Sequence, residues 1–328
     1  MNIDRSRRDF LTALSALTLT NLSRAALAAD APAASSLSLG FSLYASKTLP
    51  LDALLKSCTE IGYDSVELAL MQGFPTEPKQ LTSQARQDLV AQLAALKLRV
   101  PALMDNLPLV AGDTQHAQNL ERIAAAAELG HALESRLLEP KSPPVLETVL
   151  GGQPAQWDGL KSQMVERLGS WARAAEKGDL TIAIKPHINN ALHRPADALW
   201  LVEQVGNPRV KLAYDFSHYS LQGDDLAATV RQLAPQSVFV HVKDASRGAA
   251  GKVQFHLPGE APAGPGRVDY GVLVKELISA GYRGAVVVEV SAMLQSQSGY
   301  DAIDAARRSY APLVKAFSAA GVSQREWS

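Results

Sequence analysis

Eight short, mostly apolar runs, each separated from the next by a segment of its own, constrain this chain more than any other feature of its sequence. The runs are 37–44, 65–70, 99–104, 135–139, 181–187, 210–216, 238–243 and 285–291. Rows of Val, Ile, Leu and Ala are the pattern of strands buried on both faces, as parallel sheets require. Segments of helical length and spacing lie between them at 51–61, 83–96, 117–129, 157–177, 194–205 and 271–280. Alternation of this kind gives parallel strands joined by helical crossovers, and eight such units is the count that closes a (β/α)8 barrel. Gly62-Tyr63 and Gly281-Tyr282 punctuate two helix-to-strand junctions, where glycine ends the helix in the left-handed conformation.

At 328 residues with 47% hydrophobic side chains, the chain can bury a single core of barrel size. Its formal net charge of −1 and the lack of a basic stripe predict no nucleic-acid partner. No long unbroken apolar segment occurs in the body, so no stable membrane anchor is expected. The N-terminus reads differently. Arg7-Arg8 followed by Phe10-Leu11, a moderately apolar stretch and Ala26-Leu27-Ala28 match a twin-arginine export signal over residues 1–28. A linker at 29–36 and the barrel at 37–320 follow, which predicts a periplasmic or exported protein. Cys58 is the only cysteine, so no intrachain disulfide forms, and its amphipathic helical setting makes it a small core residue.

Strands of a parallel sheet all open at one edge, so polar residues closing successive runs meet there. Asp215 closes the run LAYD, His241 lies in VFVHVKD, and Glu289 ends VVVE. Two carboxylates and an imidazole are oxygen and nitrogen ligands suited to Mn²⁺ or Mg²⁺. A fourth run, TIAIKPH, places Lys185 where an acidic residue would complete such a site. His187 and Lys243 share a face with Lys185 and His241 respectively by the two-residue strand period. Together with Glu67, His218 and Arg267 they are candidate substrate contacts, and the Gly/Pro-rich stretch from Phe255 to Tyr270 reads as a shaped substrate loop.

The motifs GFSLYAS, IGYDSVEL, AYDFSHY, VFVHVKDA, LPGE with GPGRVDYGVLVKEL, and GYRGAVVVEV resemble the xylose isomerase-like sugar phosphate isomerase/epimerase superfamily, the group of tagatose 3-epimerase and hydroxypyruvate isomerase. The resemblance covers nearly all of the chain after the export signal. It implies a (β/α)8 barrel and a divalent metal held by Glu, Asp, His and Glu, with Asp215, His241 and Glu289 matching the last three. It also implies that the first glutamate and the last act as acid and base on opposite sides of the sugar. Lys185 stands at the first glutamate's position, which places a two-carboxylate epimerisation in question.

Three readings of Lys185 stay open at this point. The metal is kept and Lys185 anchors substrate or serves as general base; or the ammonium itself takes the metal's place between Asp215 and Glu289; or Lys185 forms a Schiff base with a carbonyl substrate. The functional expectation is an exported sugar isomerase or epimerase that removes a proton beside a carbonyl, with Lys185 and Glu289 as catalytic residues. A β-eliminating lyase on 3-keto-glycosides and a non-catalytic carbohydrate-binding barrel are the alternatives.

Overall fold

A computed structural model describes residues 36–134 and 143–324. Eight parallel strands close a barrel: β1 (Ser36–Ser42), β2 (Ser65–Ala69), β3 (Ala102–Met104), β4 (Val145–Thr148), β5 (Ile182–Ile184), β6 (Val210–Tyr214), β7 (Ser237–Val242) and β10 (Ala285–Val288), the last pairing back onto β1. Between β7 and β10 lies an antiparallel hairpin of β8 (Asp244–Arg247) and β9 (Val253–His256), and a short β11 (Ser323–Gln324) extends β1. The helices are α1 (Leu51–Ile61), α2 (Ser83–Ala95), α3 (Asp113–Glu134), α4 (Trp157–Lys177), α5 (Pro195–Val205), α6 (Ser217–Ser220), α7 (Leu226–Leu233), α8 (Tyr270–Ser279), α9 (Ala292–Gln295) and α10 (Ala302–Ala319). None of the described helices is long and apolar enough to cross a membrane.

Local chemistry sets the element boundaries. Thr82, Asp225, Asp269 and Asp301 each accept a backbone N–H in the first turn of the helix that follows, at 2.8–3.2 Å, which satisfies donors the helix cannot bond internally. Gly62 ends α1 at φ +114°, and a Cβ there would lie 2.4 Å from the Tyr310 hydroxyl, so only glycine fits. The main core fills the layer between strands and helices, where Leu39, Phe41, Leu146, Ile184 and Val288 meet Leu55, Leu93, Trp171 and Leu313.

The strand expected at 135–139 lies outside the described residues. The fourth barrel strand is instead Val145–Thr148. Pro143 and Pro144 immediately before it mask the strand, because proline lacks the N–H that a ladder needs. The Gly/Pro-rich loop expected from Phe255 to Tyr270 begins inside β9, whose last two residues it contains. The export signal expected at 1–28, and the linker up to residue 35, lie outside the described residues.

Candidate active site

Barrel strands present alternate side chains inward, and the inward set changes character along each strand. Ala102, Ala183, Ala213, Ala285 and Val287 form a buried layer with Phe239. Small neighbours leave room for that one phenyl ring. Two residues further along the same chains come Lys185, Asp215, His241 and Glu289. Phe239 meets the His241 ring edge-on, centroids 4.8 Å apart, so the apolar layer floors the polar one.

Glu67, Glu147, Lys185, Asp215, His241 and Lys243 are each at most 3% exposed, whereas the Glu289 side chain keeps 11%. Lys185 Nζ donates to Glu289 Oε2 at 2.7 Å, and lies 3.1 Å from Glu147 Oε1 and 3.0 Å from His241 Nδ1. Lys243 Nζ donates to the same Glu289 oxygen at 2.8 Å and also to Asp215 Oδ2. The His241 ring spans Glu289 Oε2, 3.2 Å from Nδ1, and Glu67 Oε2, 2.9 Å from Nε2. Ser42 donates to that Glu67 oxygen, and Ser217 Oγ donates to Asp215 Oδ1 at 2.6 Å. Seven of the eight barrel strands contribute to this one network, β3 alone giving no member among these.

Four carboxylates against two ammonium groups leave an excess of negative charge, and that excess governs protonation. Burial alone would strip His241 of its proton, but Glu67 and Glu289 outweigh burial and the nearby Lys185, lifting the imidazole to about 9. Desolvation also opposes the Lys185 charge, yet Glu147, Glu289 and Asp215 hold its ammonium above the ordinary lysine value. A fixed ammonium is neither a Schiff-base nucleophile nor a general base. For Glu289, burial favours the acid form and is overcome by Lys185, Lys243 and His241, which keep it well below the usual carboxylate range. Glu147 goes the other way because burial outweighs Lys185.

His187 and His218 stand apart from the ionic network, ring on ring at 4.1 Å, with Phe255 of β9 edge-on to His218 at 5.3 Å. Burial, then neighbouring cationic groups, drives His187 down to about 4 and His218 well below its ordinary value. Neither ring nitrogen of His218 makes a hydrogen bond, although Nε2 lies 3.4 Å from Asp215 Oδ2. Near the ends of β1 to β3, Tyr44 stacks on Phe74 at 5.7 Å, and Met71 and Met104 complete an apolar wall.

The structure therefore brings together Glu67, Lys185, Asp215, His241, Lys243 and Glu289, with His187 and His218 as a neighbouring pair. Arg267 is exposed on its loop, and no described ion pair joins it to the network. Glu147 escaped the sequence reading because its strand did; in VLET it sits two residues after the inward Val145, the position an inward carboxylate would take. Asp244 also has a defined task. Its buried carboxylate accepts from the N–H groups of Gly259, Ala261 and Val268 and from the Tyr270 hydroxyl at 2.6 Å, tying the Gly/Pro-rich loop to the end of β7.

Two donor sets lie close enough to hold an ion, Asp215–His241–Glu289 and Glu67–Glu147–His241, with all atoms of each set within 4.8 Å of one another. A divalent ion needs free lone pairs converging at about 2.1 Å. In the first set Lys243 bridges Asp215 and Glu289, Lys185 donates to Glu289, and His241 Nδ1 faces the same Glu289 oxygen. In the second, His241 Nε2 is bonded to Glu67 and Glu147 faces Lys185. In this arrangement the residues hold ammonium groups at the donor atoms and do not fit a divalent ion.

A closed parallel barrel with a polar strand-end network defines a class, and comparison with known proteins narrows it. A family model described as xylose isomerase-like TIM barrel matches residues 55–311, and the chain belongs to that family. Inosose dehydratase of Geobacillus thermodenitrificans strain NG80-2 is 26% identical over 185 residues, covering 51% of this chain and 57% of the relative. D-psicose 3-epimerase of Agrobacterium fabrum strain C58 is 25% identical over 179 residues, with the same coverage of each chain. The chain thus spans a little over half the length of these curated relatives. Among solved structures, the IolI protein with a binding zinc atom shares the fold at a TM-score of 0.69 and 18% identity, over 86% of this chain and 98% of that one.

Proposed function

We propose that the protein is a sugar-processing enzyme that removes a proton from a carbon beside a carbonyl, acting as an isomerase, an epimerase or a β-eliminating lyase on a keto-sugar. The observation that carries this reading is the position of Glu289. It is the one partly exposed member of an otherwise buried ionic network, and it is held by two ammonium groups. A sugar carbonyl placed beside Glu289 would accept hydrogen bonds from Lys185 and Lys243, so negative charge developing on that oxygen meets fixed cations. Each N–H turned to the substrate is one withdrawn from Glu289, whose carboxylate gains basicity as the proton is taken. The His187–His218–Phe255 and Tyr44–Phe74 clusters offer faces for the C–H surface of a sugar, and neutral imidazoles offer hydrogen bonds to its hydroxyls. Similarity to a sugar dehydratase and a sugar epimerase supports the substrate class.

Elimination from a keto-glycoside is the favoured variant, because it needs one base and an electrophile and only one carboxylate of the network reaches the opening. A cleft of about 620 Å³ lined by Phe255, His256, Glu260, Tyr300 and Arg308, though by no member of the ionic network, is the place this reading assigns to a second sugar unit. Incubating ketoses and 3-keto-glycosides in D₂O tests the reading. Deuterium should enter the substrate or product, and Glu289→Gln should slow that entry by roughly 10²–10⁴-fold. A panel yielding neither exchange nor product, while calorimetry still detects carbohydrate binding, would instead make the barrel a binding protein. Export by the twin-arginine route belongs to the same proposal, and N-terminal sequencing of the periplasmic protein should find cleavage after Ala28.

A further inference from the structure

We propose that Lys185 and Lys243 act as a resident pair of cations in place of the divalent ion, excluding Mn²⁺ and Mg²⁺ from this barrel. The geometry is specific to the pair. Lys243 closes the link between Asp215 and Glu289, and Lys185 donates to Glu289 and stands 3.1 Å from Glu147. Both lysines converge on one oxygen, Glu289 Oε2, at 2.8 and 2.7 Å. A bound ion would need that oxygen as well, and would sit against two positive charges in a site almost closed to water.

Each lysine also has a support that exists whether or not substrate is bound. Glu147 stands 3.1 Å from Lys185, 1% exposed, a second carboxylate beside the ammonium. Lys243 lies 5.2 Å from the Phe255 ring centroid, a cation–π contact that holds the side chain from the hairpin side. An ammonium so fixed supplies what a metal supplies to an enediolate, a positive charge already oriented when negative charge develops. That catalytic consequence rests on the proposed proton abstraction, whereas the exclusion of metal does not.

The test uses the full exported chain and Mn²⁺ alone as probe. Elemental analysis of protein purified without added metal or chelator should find no stoichiometric divalent ion, and calorimetry should detect no Mn²⁺ binding. Mn²⁺ should not raise the melting temperature nor chelator lower it, since an ion bound to the folded state would do so. Lys185→Glu should take up one equivalent of Mn²⁺, at least about tenfold tighter than the parent, the scale on which changes around a metal's ligands move affinity. One equivalent of ion in the parent, or a chelator-sensitive parent melting temperature, would overturn the proposal. So would a folded Lys185→Glu that ignores Mn²⁺. If Lys185→Glu does not fold, the parent's metal content and melting decide alone. No readout involves a sugar, so failure of the D₂O exchange assay would leave this inference standing, and metal in an active parent would remove it while sparing the proton abstraction.

Discussion

Three histidines end neighbouring strands of one barrel mouth, all of them largely shielded from water, yet His241 is held charged and His187 and His218 neutral. Burial acts on all three in the same direction, toward the neutral ring. His241 escapes because Glu67 and Glu289 lie within 3.2 Å of its two nitrogens. The His187–His218 pair faces Lys243 and Lys185 with only one carboxylate oxygen, Asp215 Oδ2, near His218 at 3.4 Å. The mouth is thus divided into an ionic half that holds charge and a neutral aromatic half beside it. Burial pushes every ring toward neutrality, and only where two carboxylates reach the nitrogens is that push overcome.

The division should break most severely at Lys185. Lys185→Met leaves the buried Glu147 without its cation while Glu289 keeps Lys243 and His241, and loss of one partner from a buried pair costs about 3–5 kcal/mol. Lys185→Met with Glu147→Gln should recover part of that loss. Urea unfolding of the two single variants and the double variant gives the coupling, and strictly additive losses would mean that Lys185 and Glu147 do not act as a pair.

Glu67→Gln tests the other support of the ionic half. In the parent, His241 binds its proton more tightly folded than unfolded, so its stabilisation is complete below about pH 6.5 and is lost as pH rises through about 9. That contribution is on the order of 3 kcal/mol. Without the Glu67 charge, His241 should titrate lower and the alkaline fall in stability should shrink. Urea midpoints between pH 6.5 and 9 check this, and an unchanged slope in Glu67→Gln would assign the fall to a different group.

These two supports also mark the limit of what can be read from the chain alone. Lys185, Asp215, His241 and Glu289 were legible because each closes or follows an apolar run, and a parallel sheet gathers such ends at one edge. The barrel itself was legible for the same reason, from seven of its eight strands. Glu147 was hidden behind Pro143-Pro144, while the more apolar Leu137-Leu138 drew the fourth strand to the wrong place. Glu67 was visible in its strand, but nothing local shows that it meets a histidine 174 positions away. Long-range pairing decides which charges are neutralised, and strand periodicity carries no information about it. Asp244 sits next to Lys243 in the sequence, yet its partners are loop N–H groups and the Tyr270 hydroxyl, whose positions only the folded chain defines.

The smallest effect belongs to the neutral half and runs in the opposite direction with pH. His187 binds its proton less tightly folded, at about 4, than unfolded, near 6.5. The unfolded state therefore gains protons first as pH falls, and stability declines through that window. Because the ring is only half-buried and solvent screens part of its surroundings, the loss should be roughly 1–2 kcal/mol. His187→Asn keeps an acceptor for the Asn189 N–H, which now bonds His187 Nδ1 at 3.2 Å, and removes the titration. Its urea midpoint should fall less steeply than the parent's between pH 6.5 and 4, while its behaviour between 6.5 and 9 stays as in the parent. A variant changed on the alkaline side would mean that the two halves of the mouth are electrostatically continuous, and that the neutrality of His187 depends on the same carboxylates that charge His241.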